Sequence, residues 1–533
     1  MFLKNKLNST NFLTILIFFI ALFVSQIFGN RGVFPIDSFS HFDTGYRVLN
    51  GELPFRDYWA VSGPLIDFFQ AFLFFVFGIN WQIYLLSASI LNGFFAVLTF
   101  NLLLKFKLEK KFSFFYAICL AVLAYPSSGT SFVDHHSTFL SVISIYFLIF
   151  AIKTEKLIYW FFLPLVFSFA FLSKQVPATY IFFSVCLLIF YDFIFNYKNK
   201  LNKKKIFLTL VFSSTVIIIL LIFFLNFGGI SIQNFIDQYI NYPREIGKSR
   251  YTELNYDFNN IVLNFKFIYL FFILLFIVNL KKLFTQKQFY KKINFKLFLI
   301  SFLLFVSLVQ HQIVTKNQIF IFFLIPLFAA FVHIELLELN NKYKKYIIFF
   351  LISMCLYTTF KYHKRFNLER KFHELNNVNF SNSVDAAVLD KKFKGLNWIT
   401  PGSRNKEDVF KEIKSIKENI NILKKDNAKK MLITNYSFFS VILNETVNSP
   451  SRWFPGDDSA FPQKDSSSFH IYKKFLLKNI KDKKIEVIYI IKDVSERNLL
   501  DYIDLECVNK IIINKHMDKY TLNRNCSDLY GKQ

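Results

Sequence analysis

Residues 34–65 read FPIDSFSHFDTGYRVLNGELPFRDYWAVSGPL and bring Asp37, His41, Asp43, Arg47, Glu52, Arg56 and Asp57 into one stretch. Carboxylates this close to guanidinium groups could accept protons as general bases do, or could fix a charged ligand. Ordinary loop polarity competes with that reading, because Asn50-Gly51 and Pro54 are common turn residues.

Further candidates lie downstream. Lys174-Gln175, in FLSKQVP, directly follows an apolar run. A lysine there would hold an anion at a membrane rim, or simply snorkel to the headgroups. Asp134-His135-His136, in SSGTSFVDHHST, offers the carboxylate and imidazole groups that zinc prefers. Adjacent histidines cannot both face one ion from a regular helix or strand, and no H-x-x-x-H or H-x-x-E-H spacing occurs. A polar rim that orients a ligand is therefore the better reading; no metal residue is assigned, and the cofactor is left open, with a divalent ion not indicated. His311 and Lys316, in QHQIVTKNQ, form another polar segment. Arg244, Lys248 and Arg250 lie in a loop, residues 228–260, where Asp237, Glu245 and Glu253 nearly balance them.

The elements that must position these groups are apolar. Of 533 residues 53% are hydrophobic, 20% aromatic and 19% charged, with 74 phenylalanines. A soluble domain carries more charge and less apolar mass. Collagen-like, disulfide-scaffold and disordered classes are excluded by the few Gly and Pro, the five cysteines and the abundance of large apolar residues. The apolar residues fall in blocks at 12–29, 81–104, 112–125, 137–152, 157–173, 177–196, 206–228, 261–280, 296–309, 318–338 and 346–360. These read as about eleven transmembrane helices of a polytopic α-helical membrane protein.

The net charge of +26 follows topology rather than nucleic acid. Lys105, Lys107, Lys110 and Lys111 follow one block, Lys198 to Lys205 another, and Lys281 to Lys296 a third, so these loops are cytoplasmic by the positive-inside rule. Residues 64–79 are apolar but short, and carry Asp67 and Gln70. If they crossed, every later basic loop would flip outward, so they are placed as an interfacial helix on the outer surface. An odd number of crossings then leaves the N-terminus cytoplasmic and exports the C-terminal third. Lys4 and Lys6 precede the first block as in a signal sequence, but no small-x-small cleavage site follows, so the block is read as a retained anchor.

Residues 1–360 thus form a membrane module with an outer loop at 30–63. Residues 361–533 form an extracytoplasmic α/β domain: Met431 to Thr434, Ile485 to Ile491 and Lys510 to Ile513 are strand-like runs, and Lys406 to Asp426 has helical periodicity. Cys507 and Cys526 lie in this domain, and spacing alone does not pair them. Trp453, in SPSRWFPGDDSAFP, could stack on a sugar or simply pack.

Asp43-Thr44-Gly45-Tyr46, then Gly51-Glu52-Leu53-Pro54-Phe55-Arg56-Asp57-Tyr58-Trp59, then Gly63-Pro64-Leu65, is similar to the D-E-G-Y, G-x-x-P-[YF]-R-D and x-P-P-L run of bacterial GT-C glycosyltransferases. These are polyprenyl-phosphate-sugar enzymes related to protein O-mannosyltransferases and the lipid A aminoarabinose transferase. Order and spacing match across some thirty residues. Thr44 stands where the family usually has Glu, and Gly63 where a first Pro is common.

The resemblance implies a GT-C-like fold in a bacterial inner membrane and transfer of a sugar, with inversion, from a polyprenyl-phosphate donor to a lipid, glycan or protein acceptor at the periplasmic face. Asp43 is then the expected base, with Asp37 second. Tyr46, Arg56 and Asp57 of the motif, together with Asp134, His135, Lys174, Gln175, Arg244 and His311, are the expected substrate contacts. Lys174 is directed at the departing phosphate. Other enzyme signatures are missing: G-x-S-x-G and paired C-x-x-C do not occur, and the absence of G-x-x-x-x-G-K-[ST] and G-x-G-x-x-G argues against nucleotide chemistry. The alternatives are a transporter or flippase of lipid-linked saccharides, and a membrane-tethered binding protein acting through its exported domain.

Overall fold

The computed structural model describes residues 9–124, 129–195, 203–316, 321–339, 342–457, 459–523 and 526. Lys4, Lys6 and residues 196–202 of one basic loop, with the edges of the blocks at 112–125 and 318–338, lie outside the described residues. The chain is mostly helical. Among the described residues, seven helices are long and apolar enough to cross a membrane: Ser9–Gly29, Trp81–Lys105, Val133–Thr154, Gln175–Phe195, Lys203–Phe227, Lys266–Thr285 and Ile293–Val314. Helices also occupy the other four apolar blocks, as Lys110–Ala124, Leu157–Ser173, Leu324–Leu337 and Lys344–Tyr362, but fall short on length or composition.

Lys203–Phe227 shows why a lipid solvent is required. Its 18-residue apolar window has a mean hydropathy of 2.9 although only 11% of that window is buried, and Phe207, Phe212, Ile219 and Phe223 face outward. Such a surface is stable in hydrocarbon, where the helix satisfies its own backbone hydrogen bonds.

The chain divides into two compact units, each assembled from separate stretches. The first comprises residues 1–29, 85–221 and 253–372. Phenylalanine fills its core: the rings of Phe95, Phe139 and Phe323 meet with centroids 5.0–5.5 Å apart, within the range that favours aromatic pairs. Asn92 staples helices together by donating to the Ala121 carbonyl at 3.0 Å and the Ser25 hydroxyl at 2.9 Å. Among the described residues, the buried ammonium groups here are paired: Lys296 with Asp192, and Lys282 with Glu335 and Glu338. These pairs sit within a turn of their helix ends, and breaking either would strand a charge in the interior.

The second unit comprises residues 30–84, 222–252 and 373–533. Its four-stranded sheet runs in the order Lys430–Ile433, Val487–Ile491, Met517–Leu522, Val508–Asn514. The first two strands are parallel, with Lys430 opposite Val487, and the others pair antiparallel. Lys430–Ile433 and Val487–Ile491 are buried along their whole length, as strands covered on both faces must be. Helix Lys406–Lys425 buries Val409, Ile413, Ile416, Ile420 and Leu423 along one stripe. Its start is fixed by a capping box between Asn405 and Asp408, with Glu407 and Asp408 at the positive end of the helix dipole and Lys424 and Lys425 at the negative end. Helix Phe469–Asp482 turns Tyr472, Phe475, Leu476 and Ile480 inward. Cys507 and Cys526 form a disulfide.

Candidate functional site

Two clusters gather the candidates, one in each unit. In the second unit, helix Ser40–Leu49 packs against helix Pro64–Phe77. Gly45 permits the close approach: a Cβ there would lie 2.7 Å from Gln70 Cγ and 2.9 Å from its Cβ. His41, Thr44 and Gly45 share the packed face, since residues three and four apart on a helix lie side by side. Asp43 and Arg47, four residues apart, share a different face.

Asp67 is the hub of the packed face. Its carboxylate is fully buried and accepts from His41 Nδ1 at 2.8 Å and the Tyr58 hydroxyl at 2.9 Å, as well as from Thr44 and Arg452. Burial alone would push this carboxyl up, but the Arg452 charge and the His41 and Thr44 hydrogen bonds outweigh it and hold it below the usual carboxylate range. Arg452 also donates to the Ser62 carbonyl at 2.6 Å.

On the other face Asp43 is 5% exposed, and Arg47 Nη1 lies 3.8 Å from its carboxylate. Burial raises the Asp43 pKa, against the opposing pull of Arg47 and the neighbouring Ser440 side chain. Arg47 is wholly buried: its Nε donates to Glu52 at 2.5 Å and its guanidinium stacks 4.5 Å from the Tyr58 ring centroid. Its Nη1 and Nη2 make no hydrogen bond among the described residues. Glu52 also binds Lys483, so this carboxylate answers two cations and sits below its usual pKa despite burial. A partly desolvated base beside a guanidinium with an unsatisfied edge can accept a proton while an anionic or polar oxygen is held next to it.

The other motif residues are placed as follows. Tyr46 is buried, and burial, Asp43 and Glu445 raise its phenol. Arg56 and Asp57 close the turn after Gly51: Asp57 accepts from the Leu53 amide at 2.7 Å, and Arg56 donates to Gly51 O at 2.7 Å and Gly228 O at 2.8 Å. Asp37 is half-buried in the short helix Pro35–Ser38. Arg244 is exposed on helix Tyr242–Thr252, which replaces the loop expected there; its neighbour Glu245 accepts from Ser466, Ser467 and Ser468.

The second cluster, in the first unit, joins three separate motifs. Lys174 Nζ contacts both oxygens of Asp134 at 2.8 Å, and His311 Nε2 lies 3.0 Å from Asp134 Oδ1. Asp134 is 1% exposed, whereas the Lys174 side chain keeps 20% exposure. The Lys174 carbonyl accepts from Ser137 at 2.9 Å. Asp134, His135 and His136 occupy the first turn of helix Val133–Thr154, and His311 the last turn of Ile293–Val314. Asp134, His135, His136 and His311 thus sit on helix ends, because each apolar block extends by about a turn into polar sequence. His135 packs its ring against Phe132 and Phe139. Gln175 begins the next helix, Gln175–Phe195. No cluster of three or more His, Cys, Asp or Glu suited to a metal occurs among the described residues.

Sequence reasoning missed Asp67 and Arg452 as site residues. A lone acid in a helix otherwise free of charge was the available signal, because a buried carboxylate demands a partner. Arg452 carried none, standing in a polar loop sequence beside Trp453.

Residues 61–223 match the family of dolichyl-phosphate-mannose-protein mannosyltransferases, part of the GT-C superfamily. Asp67, Asp134 and Lys174 fall within the matched stretch, and Asp43 precedes it. No curated protein matches the chain.

Proposed function

We propose that this chain is a membrane glycosyltransferase that moves a sugar from a polyprenyl-phosphate donor to an acceptor hydroxyl or amine at the periplasmic face of a bacterial inner membrane. The observation that carries the reading is the family match over residues 61–223, taken with the buried Asp43–Arg47 pair on the preceding helix. In the reaction the acceptor heteroatom forms a bond to the anomeric carbon while the bond from that carbon to the phosphate oxygen breaks. The configuration inverts, and the lipid phosphate leaves with the bonding electrons. The acceptor proton passes to Asp43, whose burial makes it a stronger base than an exposed carboxylate. Lys174, held by Asp134, is assigned to negative charge on the donor.

Eleven crossings with an exported C-terminal region is the topology proposed. The Cys507–Cys526 disulfide supports it, since such bonds persist in oxidising compartments. A transport pathway places ionisable residues in mid-membrane, whereas the buried ion pairs of the first unit sit at helix ends. The enzyme reading is favoured for that reason. Its test is mass spectrometry of envelope glycolipids and glycans from cells with and without the gene, followed by transfer in proteoliposomes from a synthetic polyprenyl-phosphate sugar. A sugar missing only from gene-deleted cells and restored in vitro supports the reading; identical profiles and no transfer reject it.

A further inference from the structure

The base-bearing helix is oriented by an ion pair from far along the chain. Helix Ser40–Leu49 can present Asp43 toward Ser440 only if its rotation about its own axis is fixed. That rotation is set on the opposite side, where His41 and Thr44 both bind the Asp67 carboxylate and Gly45 meets Gln70. Asp67 is itself held by Arg452, which spans two acceptors, the Asp67 carboxylate and the Ser62 carbonyl.

The segment carrying Arg452 is fixed in turn. The Trp59 amide donates to Pro450 O at 2.9 Å, Ser437 donates to Arg452 O at 3.1 Å, and Asn435 exchanges hydrogen bonds with the Phe454 backbone. Asn435 directly follows the strand Lys430–Ile433 and Thr434. An unbroken series of contacts therefore runs from the sheet of the C-terminal region through Arg452 and Asp67 to the face of the helix opposite Asp43.

We propose that Arg452 is a positioning residue for the proposed transfer, acting through Asp67 to set the orientation of Asp43, so that the C-terminal region completes the reaction centre. This rests on the reading of the chain as a glycosyltransferase with Asp43 as base. Arg452 is buried and acts through other residues rather than on substrate. Its loss should lower kcat and leave the substrate KM values in place.

The experiment compares wild type, Arg452→Lys, Arg452→Gln, Asp67→Asn/Arg452→Gln and Asp43→Asn in proteoliposomes with a polyprenyl-phosphate sugar, with thermal unfolding recorded for each. Lysine keeps the charge but cannot reach both acceptors, so Arg452→Lys should fold normally and lose about tenfold to 100-fold in kcat with KM unchanged, the scale of a small misplacement of a reacting group. The double variant removes both buried charges, so it should recover thermal stability relative to Arg452→Gln while kcat stays low. Wild-type kcat in the folded Arg452→Lys or double variant overturns the positioning role alone. A wild-type protein without transfer, or an Asp43→Asn variant with full transfer, overturns the reading beneath it and the proposal together.

Discussion

Lys174 meets both carboxylate oxygens of Asp134 at 2.8 Å across forty positions of sequence. The ammonium is held in place by a wholly buried acid yet keeps part of its surface open. A charge that is both anchored and accessible is suited to recognising a phosphate.

Lys174→Ala should therefore raise the KM for the polyprenyl-phosphate donor by about tenfold or more, the worth of a hydrogen bond to a charged group, and leave the acceptor KM unchanged. Steady-state kinetics with each substrate varied in turn measures this. Equal losses for both substrates would contradict a role on the donor.

Arg47 bears on the pH dependence. Burial raises the Asp43 pKa and the Arg47 charge opposes that rise. A base must be unprotonated to act, so activity should fall as pH drops through the folded-state pKa, at a higher pH than for an exposed aspartate. Removing the opposing charge in Arg47→Gln should move this acidic limb upward by about one unit or more, while Lys483 still pairs Glu52. A kcat/KM profile checks it; a limb that moves downward or stays fixed excludes Asp43 as the titrating group.

Gly45→Ala weighs two opposed effects. Alanine favours a helix by about 1 kcal/mol over glycine, but the new Cβ would lie 2.7 Å from Gln70 Cγ and 3.5 Å from the Ala71 amide nitrogen. Overpacking of this kind costs about 1–3 kcal/mol, so the net effect should be a lower unfolding temperature and reduced kcat. An unfolding temperature at or above wild type would mean that the two helices pack less tightly than described.

Topology is open to a direct test. A reporter active only in the cytoplasm, fused after Asn367, should be silent. Activity at that position would invert the assignment of every loop.

The membrane helices were legible because hydrophobic blocks need no partner to be recognised. Helix Lys406–Lys425 was legible for a related reason: its apolar stripe and its caps are local. The strand Met517–Leu522 was not, since it interleaves Lys519 and Thr521 with its buried residues, buries the charged Asp518 among them, and owes its place to both neighbours. Asp134, Lys174 and His311 could each be picked out by type and location, but their convergence depends on packing between helices, which no spacing reveals. Asp67 looked like the polar spot of an interfacial helix. Its meaning lies in Arg452, 385 positions away.

The most direct measurement of the account is sugar transfer by Asp43→Asn set beside wild type in proteoliposomes, with folding verified by thermal unfolding. Asparagine keeps the shape of the side chain but cannot take up the acceptor proton. The account predicts a folded variant that binds donor and transfers essentially no sugar. Transfer at the wild-type rate by that folded variant would contradict it.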